Sequence, residues 1–153
     1  MAAIAVLAAS GCTTLPVSVE LGEISYVKDM KPTFTPASWL YTGADIDTLA
    51  TGVDRLGSAR VSQALATVDR TSDVVVSVYY DSCAKDDPTL DLQGSTLTVR
   101  FVTLDRNCVR AEDTLALFSM RRSGLPDPLL YTVCGRTVTL DGDQVSGDSA
   151  GAC

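Results

Sequence analysis

The chain has 153 residues, enough for one domain with a core of its own. A formal charge of −7 repels phosphate backbones and argues against nucleic-acid binding, and the lack of any histidine excludes Ser-His-Asp and Cys-His catalysis. No run of about 18 apolar residues occurs, so no membrane-spanning helix is predicted.

Residues 1–11 read M-A-A-I-A-V-L-A-A-S-G, and Cys12 follows. Small residues set between an apolar core and a cysteine resemble the lipobox of bacterial lipoproteins. The matched positions are Ala9, Ser10, Gly11 and Cys12, with Leu7 and Ala8 just upstream. The resemblance implies a signal peptide cut before Cys12, a diacylglycerol on that thiol, and fatty acylation such as palmitate. Two positions depart from the pattern. Ala9 stands where leucine is usual, and no Lys or Arg lies between Met1 and Cys12, as it would if translation began upstream of this Met1. The plainer alternative is an ordinary buried N-terminal segment that ends in Gly-Cys. Each buried CH₂ contributes about 0.8 kcal/mol, so one acyl chain anchors marginally, whereas a diacylglyceryl cysteine supplies at least two. On this reading residues 1–11 are the signal segment, 12–16 a lipidated tether, 17–140 a single globular domain and 141–153 a flexible tail.

Within the domain, Val17, Val19 and Leu21 alternate with Ser18 and Glu20, the pattern of a half-buried strand. Gly22 allows a bend before Ile24 to Val27. Lys28 to Pro36 carries two prolines and reads as a loop, and Phe34, Trp39, Leu40 and Tyr41 form an aromatic group that packs this loop onto the core. The period then changes. Ile46, Leu49, Ala50, Val53 and Leu56 share a helical face, with Asp45 as cap and Gly57 as stop. A second short helix is predicted from Ser58, with Val61, Leu65 and Val68 at helical spacing.

Asp73 to Cys83, D-V-V-V-S-V-Y-Y-D-S-C, is the centre of the reading. Its β-branched valines favour an extended chain, and so short an apolar run fits a strand covered on both faces, with later strands as neighbours. A charged loop, A-K-D-D-P, follows. Thr89 to Leu92 and Ser95 to Thr103 make a hairpin around Gln93-Gly94. Asp113 to Met120 is another strand. S-G-L-P-D-P is a turn, and Leu129 to Cys134 with Thr137 to Leu140 is a last hairpin around Gly135-Arg136. Asp141 to Cys153 has no apolar pattern and is expected to be flexible unless Cys153 is bridged. The fold class is α+β, a twisted antiparallel sheet with one or two short helices on one face and two disulfides. The alternative is an all-β sandwich.

If Cys12 carries lipid, Cys83, Cys108, Cys134 and Cys153 remain, an even number that allows three pairings. Export favours disulfides. Chain order favours Cys83 with Cys108, tying the hairpin to the central strand, and Cys134 with Cys153, pinning the tail. A structural zinc site would show close cysteine pairs and histidines, so no metal is expected. Ser82 and Lys85 have the S-x-x-K spacing, but the S-D-N and K-T-G partners of penicillin-binding families are missing. Asp86-Asp87 and Asp141/Asp143 read as solvated turns rather than acid pairs or calcium ligands.

From residue 73 to about 140 the chain is similar to small exported domains in actinobacterial lipoproteins, through Ser82-Cys83, the Leu92 to Val99 hairpin and Asn107-Cys108. The expectation is a non-enzymatic binding or accessory module with no cofactor. It would be anchored by Cys12 to the outer face of the cell membrane and directed at an envelope protein or peptide. The alternatives are an exported enzyme with an unrecognised carboxylate site, or an inhibitor of exported enzymes that presents the Ser123 to Pro128 loop.

Overall fold

The computed structural model describes residues 19–27, 37–52, 55–105, 112–151 and 153. The elements follow in the order β1 (Val19–Val27), β2 (Trp39–Thr42), α1 (Asp45–Gly52), α2 (Arg55–Ala64), β3 (Asp73–Asp81), β4 (Lys85–Gln93), β5 (Thr96–Thr103), β6 (Glu112–Arg121), β7 (Leu129–Val133), β8 (Arg136–Asp141) and β9 (Gln144–Gly147). They build two sheets rather than one. The first has the order β1-β6-β3-β2 and the second β4-β5-β7-β8-β9. Every pairing is antiparallel except that of β5 with β7, which is parallel.

β3 lies inside the first sheet between β6 and β2. Its alternation places Val74, Val76, Val78 and Tyr80 on one face, against Leu97, Leu129, Tyr131, Val133, Val138 and Leu140 of the second sheet. Val75 faces the other way, into a second cluster with Ile46, Leu49, Val61, Leu65 and Val68 of the helical segment and Leu115 and Leu117 of β6. The result is three layers, with helices on a four-stranded sheet and that sheet on a five-stranded one. The fold is α+β with helices on one face, as the pattern predicted, and the opposite face of the same sheet forms a sandwich. Full burial of a valine side chain contributes roughly 1.5–3 kcal/mol, so this strand is a major part of the core.

Several boundaries move. The helix predicted across Asp45 to Leu56 ends at Gly52, the residue that most weakens a helix interior, and α2 starts at Arg55, so Ser58 lies within α2 rather than capping it. Ile46, Leu49, Val61 and Leu65 are buried as their spacing required. Trp39 to Tyr41, read only as a core-packing group, lies in strand β2, and Leu40 and Tyr41 join the core as expected. All of A-K-D-D-P but Ala84 is strand: β4 begins at Lys85 and passes Asp87-Pro88 through a bulge, with Asp87 at φ 49°. The hairpin β4–β5 belongs to the second sheet and does not pair with β3. The β7–β8 hairpin turns on Cys134-Gly135, both at positive φ, one residue earlier than expected. Val17, Phe34 and the 28–36 loop lie outside the described residues.

The flexible tail expected at 141–153 is corrected. Gln144 to Gly147 is strand β9, paired with β8. Gly147 is required there, because it sits at φ 123° and an added Cβ would lie 2.5 Å from the Thr137 carbonyl oxygen. Ala150 is buried and bridges to Ser38, and Cys153 is joined to Cys134. The backbone is satisfied by these pairings although the side chains show no apolar period.

Among the described residues the deepest polar contact between the sheets is the phenol of Tyr131, which donates to the Ser77 carbonyl oxygen at 3.0 Å. Burial, with the neighbouring Tyr41 adding to it, pushes the Tyr131 pKa far up, so it acts as a neutral donor. Tyr131→Phe keeps the ring and removes this bond. Urea unfolding is expected to show a loss of about 1–2 kcal/mol with an unchanged denaturant slope.

Candidate functional site

At one end of the sandwich, the β2–α1 turn, the turn before β3, the start of the β6–β7 connection and the β8–β9 turn surround a cleft of about 430 Å³. Its polar lining is Thr42, Asp45, Arg70, Thr71, Ser72, Asp73, Arg122 and Asp143.

The two arginines are held by the protein itself. Arg70 Nη1 donates to the carbonyl oxygens of Leu65 and Val68, each at 2.6 Å, and its Nε and Nη2 donate to Asp47 on α1 at 3.2 and 3.0 Å. These carbonyls close the helical segment, where intrahelical donors run out. Arg70 therefore fastens α1 to the 3-10 turn, Leu65–Thr67, that follows α2. Arg122 donates to Pro126 O at 3.3 Å and Gly142 O at 3.2 Å and pairs with Asp127 at 3.0 Å. Asp127 also accepts the Gly142 N–H at 2.9 Å. That backbone bond, then the Arg122 charge, holds the Asp127 carboxyl below the usual range. Arg122 thus clamps the Ser123 to Pro128 loop onto the β8–β9 turn, with Leu125 buried beneath.

The floor is set by the turn before β3. Asp69 accepts the Thr71 hydroxyl at 2.7 Å and the Thr71 N–H at 2.9 Å, the Asx arrangement typical of tight turns. The Thr71 hydroxyl, its backbone N–H, the Ser72 hydroxyl and then Arg121 bring the Asp69 pKa down to about 2. Asp73 accepts the Asp69 N–H at 3.0 Å and pairs with Arg121 at 3.2 Å. With the guanidinium groups so engaged, the cleft offers a ligand mainly acceptors: the exposed carboxylates of Asp45 and Asp143 and the Thr42 hydroxyl oxygen.

Most of the residues singled out in the sequence fall elsewhere. Cys12 and Cys108 lie outside the described residues. Cys83 follows β3 and is disulfide-bonded. Cys134 and Cys153 are bridged with Cα atoms 5.6 Å apart. The S-x-x-K spacing spans a turn and the first residue of β4, not a helix start, and the Lys85 ammonium is directed to the Cys153 carbonyl and the Phe101 ring. Asp86 and Asp87 are exposed on the β4 bulge. Asp143 alone of the four paired acids reaches the cleft. The cleft arginines carried no sequence signal beyond adjacency at Arg121-Arg122, since each is brought to the site by tertiary pairing. No group of metal-binding side chains occurs among the described residues.

The class defined by this geometry is an α+β three-layer domain with a polar, half-open cleft at one end. No family model, no curated protein and no solved structure matches the chain.

Two outcomes check the local geometry. Arg70→Lys retains charge but loses the fork that reaches Asp47 and two carbonyls together, so a loss of about 1–2 kcal/mol in thermal or urea unfolding is expected. Asp69 has a folded pKa below its unfolded value, so its contribution is complete above about pH 4 and fades as pH falls toward 2. Urea unfolding from pH 5 to pH 2 should therefore show Asp69→Asn less stable than the parent at pH 5, with the gap closing at the acid end.

Proposed function

We propose that this chain is a membrane-anchored extracytoplasmic lipoprotein that acts as a non-enzymatic binding or accessory module, with the end cleft as its ligand site. The Cys134–Cys153 bond carries the reading most directly, because disulfides form in oxidising compartments and are rare in the cytosol. The Ala9-Ser10-Gly11-Cys12 run supports the anchor at Cys12. The second expected bridge, Cys83 with Cys108, belongs to the same proposal. The cleft favours a polar envelope component that presents hydrogen-bond donors, since its uncommitted groups are acceptors. Among the described residues Val102 is the one large apolar side chain that is exposed, which favours this polar mode over docking through a broad apolar patch.

Mass spectrometry of the native mature protein tests the reading. The expected result is a polypeptide that begins at an acylated Cys12, with Cys83–Cys108 and Cys134–Cys153 as its disulfides. Cys12→Ala should move the protein from the membrane fraction to the soluble one. An uncut, unacylated chain with free thiols would overturn the proposal. For the cleft, the Asp45→Asn/Asp143→Asn pair should reduce recovery of envelope components in a pull-down roughly tenfold while circular dichroism is unchanged, as fits exposed residues.

A further inference from the structure

The chain after β9 runs along the side of the sandwich where β2 is an edge strand. β2 pairs with β3 from Trp39 opposite Ser77 to Thr42 opposite Val74. Beyond Trp39 the β3 edge is met differently. The Tyr79 N–H donates to the Ser38 hydroxyl oxygen at 2.8 Å, and the Tyr79 carbonyl accepts the Cys153 N–H at 2.9 Å. Ser38 and Ala150 exchange backbone hydrogen bonds of 2.8 and 3.3 Å. Residues 148–151 and Cys153 therefore form a strap that meets Ser38, just before β2, and the β3 edge at Tyr79 in place of a further strand.

Besides these bonds, the Lys85 ammonium donates to the Cys153 carbonyl oxygen and Cys153 packs against the inter-sheet core, but the stretch before it is lightly held. Ala150 is buried, whereas Asp148, Ser149 and Gly151 are exposed, and the Asp148–Arg136 pair at 3.5 Å is exposed on both sides. The far end is fixed by the Cys134–Cys153 bond. Cys134 is itself exposed, in a two-residue turn at φ 49°, a left-handed conformation that residues with a Cβ rarely adopt. Disulfides at exposed or strained positions are the more reducible ones.

We propose that Cys134–Cys153 is a redox latch, and that its reduction releases the strap and opens the backbone edge at Ser38 and Tyr79 while both sheets stay folded. The reductant is an external dithiol. One of its thiolates attacks a sulfur of the bond to form a mixed disulfide, and its second thiol resolves that intermediate. Two electrons and two protons pass to the protein, which is left with two thiols, and the dithiol becomes a disulfide. The latch acts on strand edges and does not require the anchor at Cys12.

Hydrogen exchange followed by NMR on the oxidised protein and on Cys134→Ser tests the proposal, because the variant removes this bond and no other. The amides of Ala150 and Cys153 are expected to exchange at least roughly tenfold faster in the variant, with those of β3 and β6 unchanged. In the parent protein titrated with dithiothreitol, mass analysis should find Cys134 and Cys153 reduced before Cys83. Undiminished protection of Ala150 and Cys153 would overturn the proposal, since the strap would then hold without its latch. Global unfolding of Cys134→Ser would overturn it too, because the bond would be a staple for the whole fold. Reduction of Cys83 first would do the same.

Discussion

The structure depends on one strand being buried from both sides. β3 gives Val74, Val76, Val78 and Tyr80 to the inter-sheet core and Val75 to the core beneath the helices. Neither the helical layer nor the five-stranded sheet could bury its own apolar face without this sheet between them. Its two immediate neighbours extend the effect: β6 alternates in step, with Ala116, Phe118 and Met120 toward one core and Leu115 and Leu117 toward the other, and β2 gives Leu40 to the first and Tyr41 to the second. A strand with that double duty must be apolar at nearly every position, and this is why it reads as a run rather than an alternation.

The polar groups near this strand are arranged so that none of its burial is undone. The Ser77 hydroxyl, fully buried, donates to the Ala37 carbonyl at 2.7 Å and accepts the Trp39 N–H at 2.9 Å, which sews the start of β2 onto the sheet. Tyr79 reaches Asp113 across to β6 at 2.7 Å. At the end of the sandwich the same economy shapes the cleft, where arginines close off helix-end and turn carbonyls and leave carboxylates at the rim. The site is thus a by-product of how three layers end together. Its character is set by which charges the fold has already consumed.

What could be read from the residues follows from the range of the forces involved. The β3 run, the β4–β5 and β7–β8 hairpins, and the helical spacing of Ile46, Leu49, Val61 and Leu65 are local patterns, and each appears close to where it was read. The break at Gly52 lies at the most permissive residue of that stretch, so the helix pair was half visible. The partition of strands into two sheets was not legible, because β5 and β8 look alike whether they pair with β3 or pack on it. The strand at Lys85 to Pro88 was hidden by Asp87, whose left-handed φ is absorbed by a bulge. β9 was hidden because Gln144, Ser146 and Gly147 have no apolar alternation and owe their place to the β8 backbone. The cleft was least legible, since Asp45, Arg70, Arg122 and Asp143 come from four separate connections.

The parallel pairing of β5 with β7 has a consequence for how the molecule assembles. Between these neighbours in one sheet the chain leaves to lay down β6, which belongs to the other. Thr96 cannot meet Leu130, nor Thr98 meet Thr132, by any local hairpin. The two sheets are therefore interlaced rather than stacked as independent units, and neither can be completed from contiguous sequence. Such a topology pays its loop-closure entropy before the long-range contacts reward it, which places this chain among slow, cooperative folders despite its size.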